Sequence, residues 1–223
     1  MTSTVPGNFL EVTQRIRKAC ERSGRTNESV TLIAVTKFQS IEAVKAVAAA
    51  GATQFAESRV QEARDKVPGL KSLGTWHFIG HLQTNKARLA VELFDVIQSV
   101  DSLRLAETLD AAAADVGKTL GVFLQVNISG EAQKHGFSPA ESPQAAEAIS
   151  HLSHVRLQGL MGMAADADET SVRAAFRRLR ELKERLAPVH PGLKLSMGMS
   201  GDYEIAIEEG ADFVRIGTAL FKA

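Results

Sequence analysis

The sequence predicts an α/β protein, a single (β/α)8 TIM barrel that carries one extra N-terminal helix. Eight short apolar segments with strand character each alternate with a helical pattern, which is the count and order of such a barrel. The first crossover, Lys37-Phe-Gln-Ser40, lacks the glycines that open most doubly wound sheets, so an open sheet is the less favoured alternative. No linker or internal repeat divides the chain, and residues 1–223 are predicted to form one domain.

The first half of the chain supplies the extra helix and four strand–helix pairs. Apolar residues at helical spacing predict a helix over 8–22, which Gly24 ends. The unbroken apolar and β-branched run over 30–37 predicts a strand buried on both faces, and Ser40 is a suitable N-cap for the Ala-rich helix that ends before Gly51. Proline, glycine and capping residues bound the later strands 53–57, 75–79 and 95–98 and the helices 58–67, 84–94 and 102–115.

The second half repeats the alternation and completes the count of eight strands. The helix over 169–186 is long and amphipathic, and Pro188 stops it. A shorter helix over 202–209 ends at Gly210. The predicted strands are 121–127, 157–161, 193–196 and 212–216, and the remaining helix is 139–152.

Composition argues against several classes of protein. Apolar residues make up 44% and charged residues 23%, as in an ordinary globular domain. Lys+Arg and Asp+Glu number 26 each, so no net charge attracts nucleic acid or an anionic membrane, and a monomer is expected. The N-terminus lacks a signal-peptide pattern, and no run of about eighteen apolar residues predicts a spanning helix. Cys20 is the single cysteine, which fits a soluble protein of the cytoplasm.

Lys37 is the strongest candidate for chemistry. It ends the first predicted strand, and function in barrels collects where strands end. In a dry site a lysine loses part of its preference for the charged form, and the neutral amine can form a Schiff base with a carbonyl. The alternative is that Lys37 marks the end of the strand and points into water. No nucleophile elbow, P-loop or Cys-x-x-Cys motif competes with it.

Two Gly/Ser/Thr turns follow the seventh and eighth strands, where barrels often bind phosphate. In the first turn, Ser200 and Gly201 stand at a predicted helix start, whose backbone N–H groups can bind an anion. In the second, Gly217 permits close approach of the backbone and Thr218 adds a hydroxyl. The pair of turns predicts an anion site, and capped turns without a ligand are the alternative.

Arg215 ends the otherwise apolar eighth strand and needs a partner. That partner is a phosphate, a ring nitrogen, or a carboxylate such as Glu57 or Asp202. His77 and His81 stand four residues apart, but the residues between them are not helical and no acidic partner is placed beside them. We therefore predict no metal site at this pair.

Stretches that span nearly the whole chain carry a resemblance to a known family. They are Leu-Ile-Ala-Val-Thr-Lys37, Gln-Phe-Ala-Glu-Ser-Arg-Val-Gln-Glu62, Trp-His-Phe-Ile-Gly-His-Leu-Gln-Thr-Asn-Lys86, Gln-Val-Asn-Ile-Ser-Gly-Glu131, Gly-Leu-Met161, Leu-Ser-Met-Gly-Met-Ser-Gly-Asp202 and Val-Arg-Ile-Gly-Thr218. The chain resembles the YggS/PROSC family of pyridoxal 5′-phosphate (PLP) homeostasis proteins. These proteins look like the barrel domain of alanine racemase standing alone.

The resemblance implies that PLP is the cofactor and that Lys37 holds it as a Schiff base. Ser200, Gly217 and Thr218 fall on phosphate-contacting positions. In the racemase barrel an arginine faces the pyridine nitrogen and keeps the ring a weak electron sink. The resemblance leaves open whether Arg215 reaches that nitrogen or the phosphate. The implied cofactor-binding residues are Lys37, Met199, Ser200, Gly201, Arg215, Gly217, Thr218, Asn85, Asn127 and Met161.

The resemblance further implies a protein of PLP homeostasis without strong catalytic activity. Racemisation needs acid/base groups on both faces of the substrate carbanion, and Lys37 serves one face only. In the racemases the second group is a tyrosine from another domain, whereas the one tyrosine here, Tyr203, is expected on a helix surface. The implied partners are PLP and PLP-dependent apo-enzymes. A low-activity amino-acid racemase is the alternative, and a Schiff-base aldolase is a third.

Three stretches depart from the family pattern. Ala56-Glu57-Ser58 stands where the family commonly has Gly-Glu-Asn, so Ser58 keeps a hydroxyl but loses an amide. Gly80-His81-Leu82 stands where the family commonly has Gly-Pro-Leu. The sequence ends at Phe221-Lys-Ala223, short of a Phe-Gly-x-Arg tail, so a brief last helix is expected.

Overall fold

Eight parallel strands close into a barrel in the computed structural model, which describes residues 4–130 and 135–222. Each strand pairs with its neighbours in sequence, and β1 closes the circle by pairing with β8. The predicted barrel is thus confirmed. The strands are β1 Thr31–Val35, β2 Gln54–Glu57, β3 Thr75–Phe78, β4 Val96–Val100, β5 Leu120–Val126, β6 Val155–Gly162, β7 Lys194–Ser196 and β8 Phe213–Ile216.

Helices follow the strands on the outside of the barrel, and several begin at the residues that the sequence favours. The Ser40 hydroxyl accepts a hydrogen bond from the Ala43 backbone N–H at 3.2 Å, so Ser40 is the predicted N-cap. Ser102 caps in the same way, accepting from Leu105 at 3.3 Å. The helices are α1 Val5–Arg22, α2 Ile41–Ala49, α3 Val60–Lys66, α4 Ala87–Leu93, α5 Leu103–Asp115, α6 Ser142–Ser150, α7 Glu169–Leu186, α8 Tyr203–Glu208 and α9 Thr218–Phe221.

Some element boundaries differ from the prediction. Helix α1 begins at Val5 because the Thr4 hydroxyl accepts from the Gly7 N–H at 3.3 Å and a proline suits the first turn. The helix predicted over 84–94 opens as a 3-10 turn, Thr84–Lys86, before α4. Strands β4 and β6 run longer than predicted, and the register of each shifts once against β5. Such irregularities break the alternation on which strand prediction depends.

The barrel wall separates two packed regions. Between the strands and the helices lies the larger core, in which Phe55 and Trp76 stack with ring centroids 5.2 Å apart. Inside the barrel, Phe123 of β5 meets Phe213 of β8 edge-on at 5.7 Å. These two strands are not neighbours in the sheet, so their contact marks the barrel interior. The same interior also contains buried polar side chains that reach the mouth of the barrel.

Helix α1 covers the side of the barrel, where it packs against α2, α8 and α9. The Asn8 side chain donates to the backbone carbonyls of Leu220 and Lys222 at 3.0 and 2.9 Å, which fixes α9 beside the barrel mouth. Arg22 forms ion pairs with Glu204 and Glu208 of α8, both at 2.9 Å. No helix in the described ranges has both the length and the apolar composition needed to cross a bilayer.

Candidate functional site

One cavity at the carboxyl ends of the strands collects most of the predicted site residues. Its volume is about 320 Å³, which falls in the range of roughly 300–1,000 Å³ common for ligand sites. The predicted residues that line it are Lys37, Met199, Ser200, Gly201, Arg215, Gly217 and Thr218. The other lining residues are Val35, Ser58, Ile79 and Met163.

Lys37 lies just beyond β1, and its side chain is exposed. The expectation of a lysine in a dry site is therefore wrong. The chain turns sharply here, because Phe38 adopts a left-handed conformation with φ of 64° and the Gln39 N–H donates to the Thr36 carbonyl at 3.0 Å. This conformation costs a non-glycine residue roughly 1–2 kcal/mol. The Arg59 guanidinium, 4.9 Å from the Phe38 ring centroid, stabilises the turn that presents Lys37 to the cavity.

Glu57, which the sequence offers as a partner for Arg215, pairs with Lys66 instead. The Glu57 side chain is fully buried, and its Oε1 accepts hydrogen bonds from the Thr36 hydroxyl at 2.7 Å and from Lys66 Nζ at 2.8 Å. Lys66 also donates to the Thr36 carbonyl at 2.9 Å. This cluster ties the end of β1 to β2 and α3, and so anchors the turn that carries Lys37.

Arg215 is 4% exposed and forms no ion pair within the described residues. Its Nη1 donates to the Ser196 hydroxyl at 2.9 Å and its Nη2 to the Gly162 carbonyl at 3.1 Å. Burial lowers the pKa of Arg215 to about 10, although the negative charge of Asp202 opposes this shift. Asp202 accepts from the Met199 N–H at 2.6 Å, and no carboxylate of the described residues forms an ion pair with Arg215, so the carboxylate alternative does not hold. A buried cation at the cavity wall, without a carboxylate contact, favours a ligand that accepts hydrogen bonds.

A chain of hydrogen bonds runs through the barrel interior from Arg215 to Gln54. The Ser196 hydroxyl donates to Gln98 Oε1 at 2.6 Å, and Gln98 Nε2 donates to His77 Nδ1 at 3.0 Å. Because His77 Nδ1 accepts, the proton of the neutral ring is on Nε2, which donates to Gln54 Oε1 at 2.8 Å. The chain links five strands and fixes the orientation of the Arg215 guanidinium from below.

The turns after β7 and β8 meet at the mouth of the barrel. The Ser200 hydroxyl accepts from the Ala219 N–H at 3.3 Å. Helices α8 and α9 have only six and four residues, so their dipoles contribute little, and the anion donors here are backbone N–H groups and hydroxyls. A Cβ at Gly201 would meet no protein atom within 4 Å, and one at Gly217 would reach Val35 at an ordinary 3.4 Å. The packing of the protein itself therefore requires glycine at neither position, and the open space over Gly201 is available to a ligand.

Comparison with known proteins places this chain in a family. The family described as "Alanine racemase, N-terminal domain" matches residues 11–223. A protein of Pseudomonas aeruginosa named "Pyridoxal phosphate homeostasis protein" is 46% identical over 224 residues, which cover 99% of this chain and 96% of that protein. The chain belongs to the pyridoxal phosphate homeostasis protein family.

Two solved structures share the whole barrel with this family member. PipY of Synechococcus elongatus, solved with PLP bound, is 40% identical with a TM-score of 0.80 over 94% of this chain and 99% of PipY. A protein from Bifidobacterium adolescentis, described only as unknown, is 39% identical with a TM-score of 0.93 over 97% of this chain and 94% of that one. The alanine-racemase-like fold predicted from the sequence is confirmed.

Three residues to which the family resemblance assigns a site role do not line the cavity. Asn85 is exposed in the 3-10 turn before α4. Asn127 is half-buried just beyond β5, where its Oδ1 accepts from the Ser129 hydroxyl at 3.0 Å. Met161 is fully buried inside the barrel, and Met163, two residues further along the chain, lines the cavity instead.

Tyr203 does not occupy the helix surface expected of it. It is 1% exposed, and its hydroxyl has no hydrogen-bond partner in the described part of the chain. Its ring lies 5.4 Å from the Arg15 guanidinium of α1, which explains the burial, because α1 covers this side of the barrel. Tyr203 does not line the cavity, so it supplies no acid/base group there.

Gly80 sets how closely the ends of β2 and β3 approach at the rim. A Cβ at Gly80 would lie 2.0 Å from the Ser58 carbonyl oxygen, so one backbone would have to move. We expect Gly80→Ala to lower the free energy of unfolding by roughly 1–3 kcal/mol. Urea denaturation measures this. The control is Gly69→Ala, where a Cβ meets nothing within 4 Å and no comparable loss is expected. An equal effect of the two substitutions would contradict the proposed close approach.

Proposed function

We propose that this chain binds PLP as a Schiff base on Lys37 and acts in PLP homeostasis, as a carrier and not as an enzyme. One observation carries the proposal: Lys37, Arg215 and the two glycine-containing turns line a single cavity. The names of the curated relatives and the PLP bound in PipY support it.

The cavity offers groups that fit the parts of PLP. The exposed amine of Lys37 is accessible to an aldehyde, with which an amine condenses to an imine. The turns that contain Ser200 and Gly217 provide hydroxyl and N–H donors for a phosphate, and open space lies over Gly201. When bound, PLP supplies an electron sink for amino-acid chemistry.

Arg215 limits how strong that electron sink becomes. It is a cation held by Ser196 and by the Gly162 carbonyl, so it can donate to an acceptor but has no proton to give up near neutral pH. If it donates to the pyridine nitrogen, that nitrogen stays unprotonated. If it contacts the phosphate, it adds affinity. Both placements suit a protein that holds PLP without strong catalysis.

The titratable groups that line the cavity argue against efficient racemisation. Among the described lining residues, only Lys37 and Arg215 carry groups that titrate, and Arg215 stays protonated. Racemisation needs a second proton donor and acceptor on the opposite face of the carbanion. Tyr203 is buried under Arg15 and does not take that place.

The carrier proposal is tested by comparing two activities of the PLP-loaded chain. We expect transfer of PLP to a PLP-dependent apo-enzyme, whose recovered activity reports the transfer. We expect no loss of α-deuterium from L- or D-alanine at an enzyme-like rate. Rapid deuterium loss would reject the carrier proposal and favour the amino-acid racemase, whose fold the chain shares.

We further propose that the chain works as a monomer in the cytoplasm.

Gly217→Ala separates binding from folding. The added methyl meets Val35 at an ordinary contact distance of 3.4 Å, so we expect the stability to change by less than about 0.5 kcal/mol. The methyl takes space at the proposed phosphate cradle, so we expect PLP to bind about tenfold more weakly, which corresponds to about 1.4 kcal/mol. Equilibrium titration with PLP and urea denaturation of the same variant check both values. Unchanged PLP affinity would show that Gly217 lies outside the binding site.

A further inference from the structure

His81, Asp101 and His135 lie together on the rim of the barrel, separate from the PLP cavity. They follow β3, β4 and β5, and their ligating atoms all lie within 4.8 Å of one another. Nδ1 of His81 is 3.1 Å from Oδ2 of Asp101, and Nδ1 of His135 is 3.6 Å from the same oxygen. Two imidazole nitrogens from different loops thus converge on one carboxylate oxygen.

From this convergence we propose that the three side chains bind one divalent transition-metal ion, with Zn²⁺ as the best chemical fit. In a tetrahedral Zn²⁺ site with bonds of about 2.0–2.2 Å, neighbouring ligand atoms lie about 3.4 Å apart. The two nitrogen–oxygen distances, 3.1 and 3.6 Å, lie on either side of that value. Imidazole ligands favour Zn²⁺, Ni²⁺ or Cu²⁺ over Mg²⁺ and Ca²⁺. Three protein ligands leave a fourth position for water.

Burial differs within the cluster in a way that suits capture of an ion. The Asp101 side chain is 11% exposed, whereas His81 and His135 are 47% and 61% exposed. The two rings stack with centroids 4.1 Å apart, and their planes, which contain the lone pairs, are only 18° from parallel. Binding therefore requires one exposed imidazole to rotate toward the ion, which a side chain in water does readily. The buried carboxylate supplies the fixed ligand.

The sequence pairs His81 with His77, but His77 lies inside the barrel, and the partners that the fold provides are Asp101 and His135 instead. The competing explanation is a metal-free cluster in which both imidazoles donate hydrogen bonds to Asp101.

Calorimetric titration of the full-length chain with ZnCl₂ separates the two explanations. We expect one ion per chain with micromolar affinity, and at least about a tenfold loss of affinity in Asp101→Asn and in His135→Asn. The control is His151→Asn, because His151 is also exposed and forms a similar pair with Glu147 at 3.0 Å. The control is expected to bind as the unmodified chain does. Circular dichroism shows whether each variant is folded.

Nuclear magnetic resonance adds a readout that a hydrogen-bonded cluster would not give. On addition of Zn²⁺ we expect the imidazole signals of His81 and His135 to shift, and that of His151 to stay in place. Binding no tighter than millimolar would overturn the proposal, as would Asp101→Asn with unchanged affinity or a loss confined to His151→Asn. Lys37 is not a ligand, so Lys37→Ala is expected to bind Zn²⁺ normally, and this proposal can fail independently of the PLP proposal.

Discussion

Lys37→Ala is expected to abolish covalent PLP binding. The unmodified chain mixed with PLP should show the visible absorption band of a Schiff base, and borohydride should reduce that bond and fix PLP to the peptide that contains Lys37. The variant should show neither the band nor the labelled peptide. The side chain is exposed, so the free energy of unfolding should change by less than about 0.5 kcal/mol. The loss of covalent PLP binding would then result from the missing amine and not from unfolding.

Two matched variants sharpen this result. Lys37→Arg keeps the positive charge but has no amine that condenses with an aldehyde, so it should also lack the band. Lys222→Ala removes another lysine near the mouth, because Lys222 and Lys37 line the same smaller cavity of about 200 Å³. That variant should keep the band. A band that persists in Lys37→Ala and disappears in Lys222→Ala would show that Lys222 forms the Schiff base, and would reject our proposal.

The sequence predicted the barrel because its signals were local and repeated. Each strand was a short apolar run and each helix had its own cap or breaker, so small errors at the ends did not change the order of elements. The errors arose where a distant contact decided the outcome. Tyr203 looked like a surface residue in a first helical turn, but α1, more than 180 residues earlier in the chain, covers it.

The candidate site was predictable in its main residues but not in its environment. Lys37, Ser200 and Gly217 follow strands, and a barrel brings all such positions to one end. The exposure of Lys37 depends on the turn at Phe38, and no local sequence pattern predicts that turn. The hydrogen-bonded chain behind Arg215 was missed as well. Its signal was present, since Gln98 and Ser99 are polar residues within a strand that is otherwise apolar, but the sequence does not show which side of the strand faces inward.

His77, which lies buried in this row of hydrogen-bonded side chains, makes the stability of the fold sensitive to acid. Burial lowers the pKa of His77 to about 4 from its ordinary 6.5, although the negative charge of Asp95 opposes the shift. Well above pH 6.5 the ring is neutral in both the folded and unfolded chain, and its full contribution to stability is present. Between those two values the unfolded chain takes up a proton that the folded chain does not. Stability therefore falls as the pH falls through this window, by about 1.4 kcal/mol per pH unit.

His77→Gln tests this sensitivity, because glutamine keeps a polar side chain between Gln54 and Gln98 but does not titrate. We expect the unmodified chain to lose roughly 2 kcal/mol more stability than the variant when the pH is lowered from 7.5 to 5. Urea denaturation of both proteins at the two pH values gives the difference, and all other titrating groups cancel in it. The variant itself is expected to be less stable at pH 7.5, because a shorter side chain cannot make both hydrogen bonds equally well. Parallel pH profiles for the two proteins would show that the His77 ring takes up its proton in the folded state, and that burial does not keep it neutral.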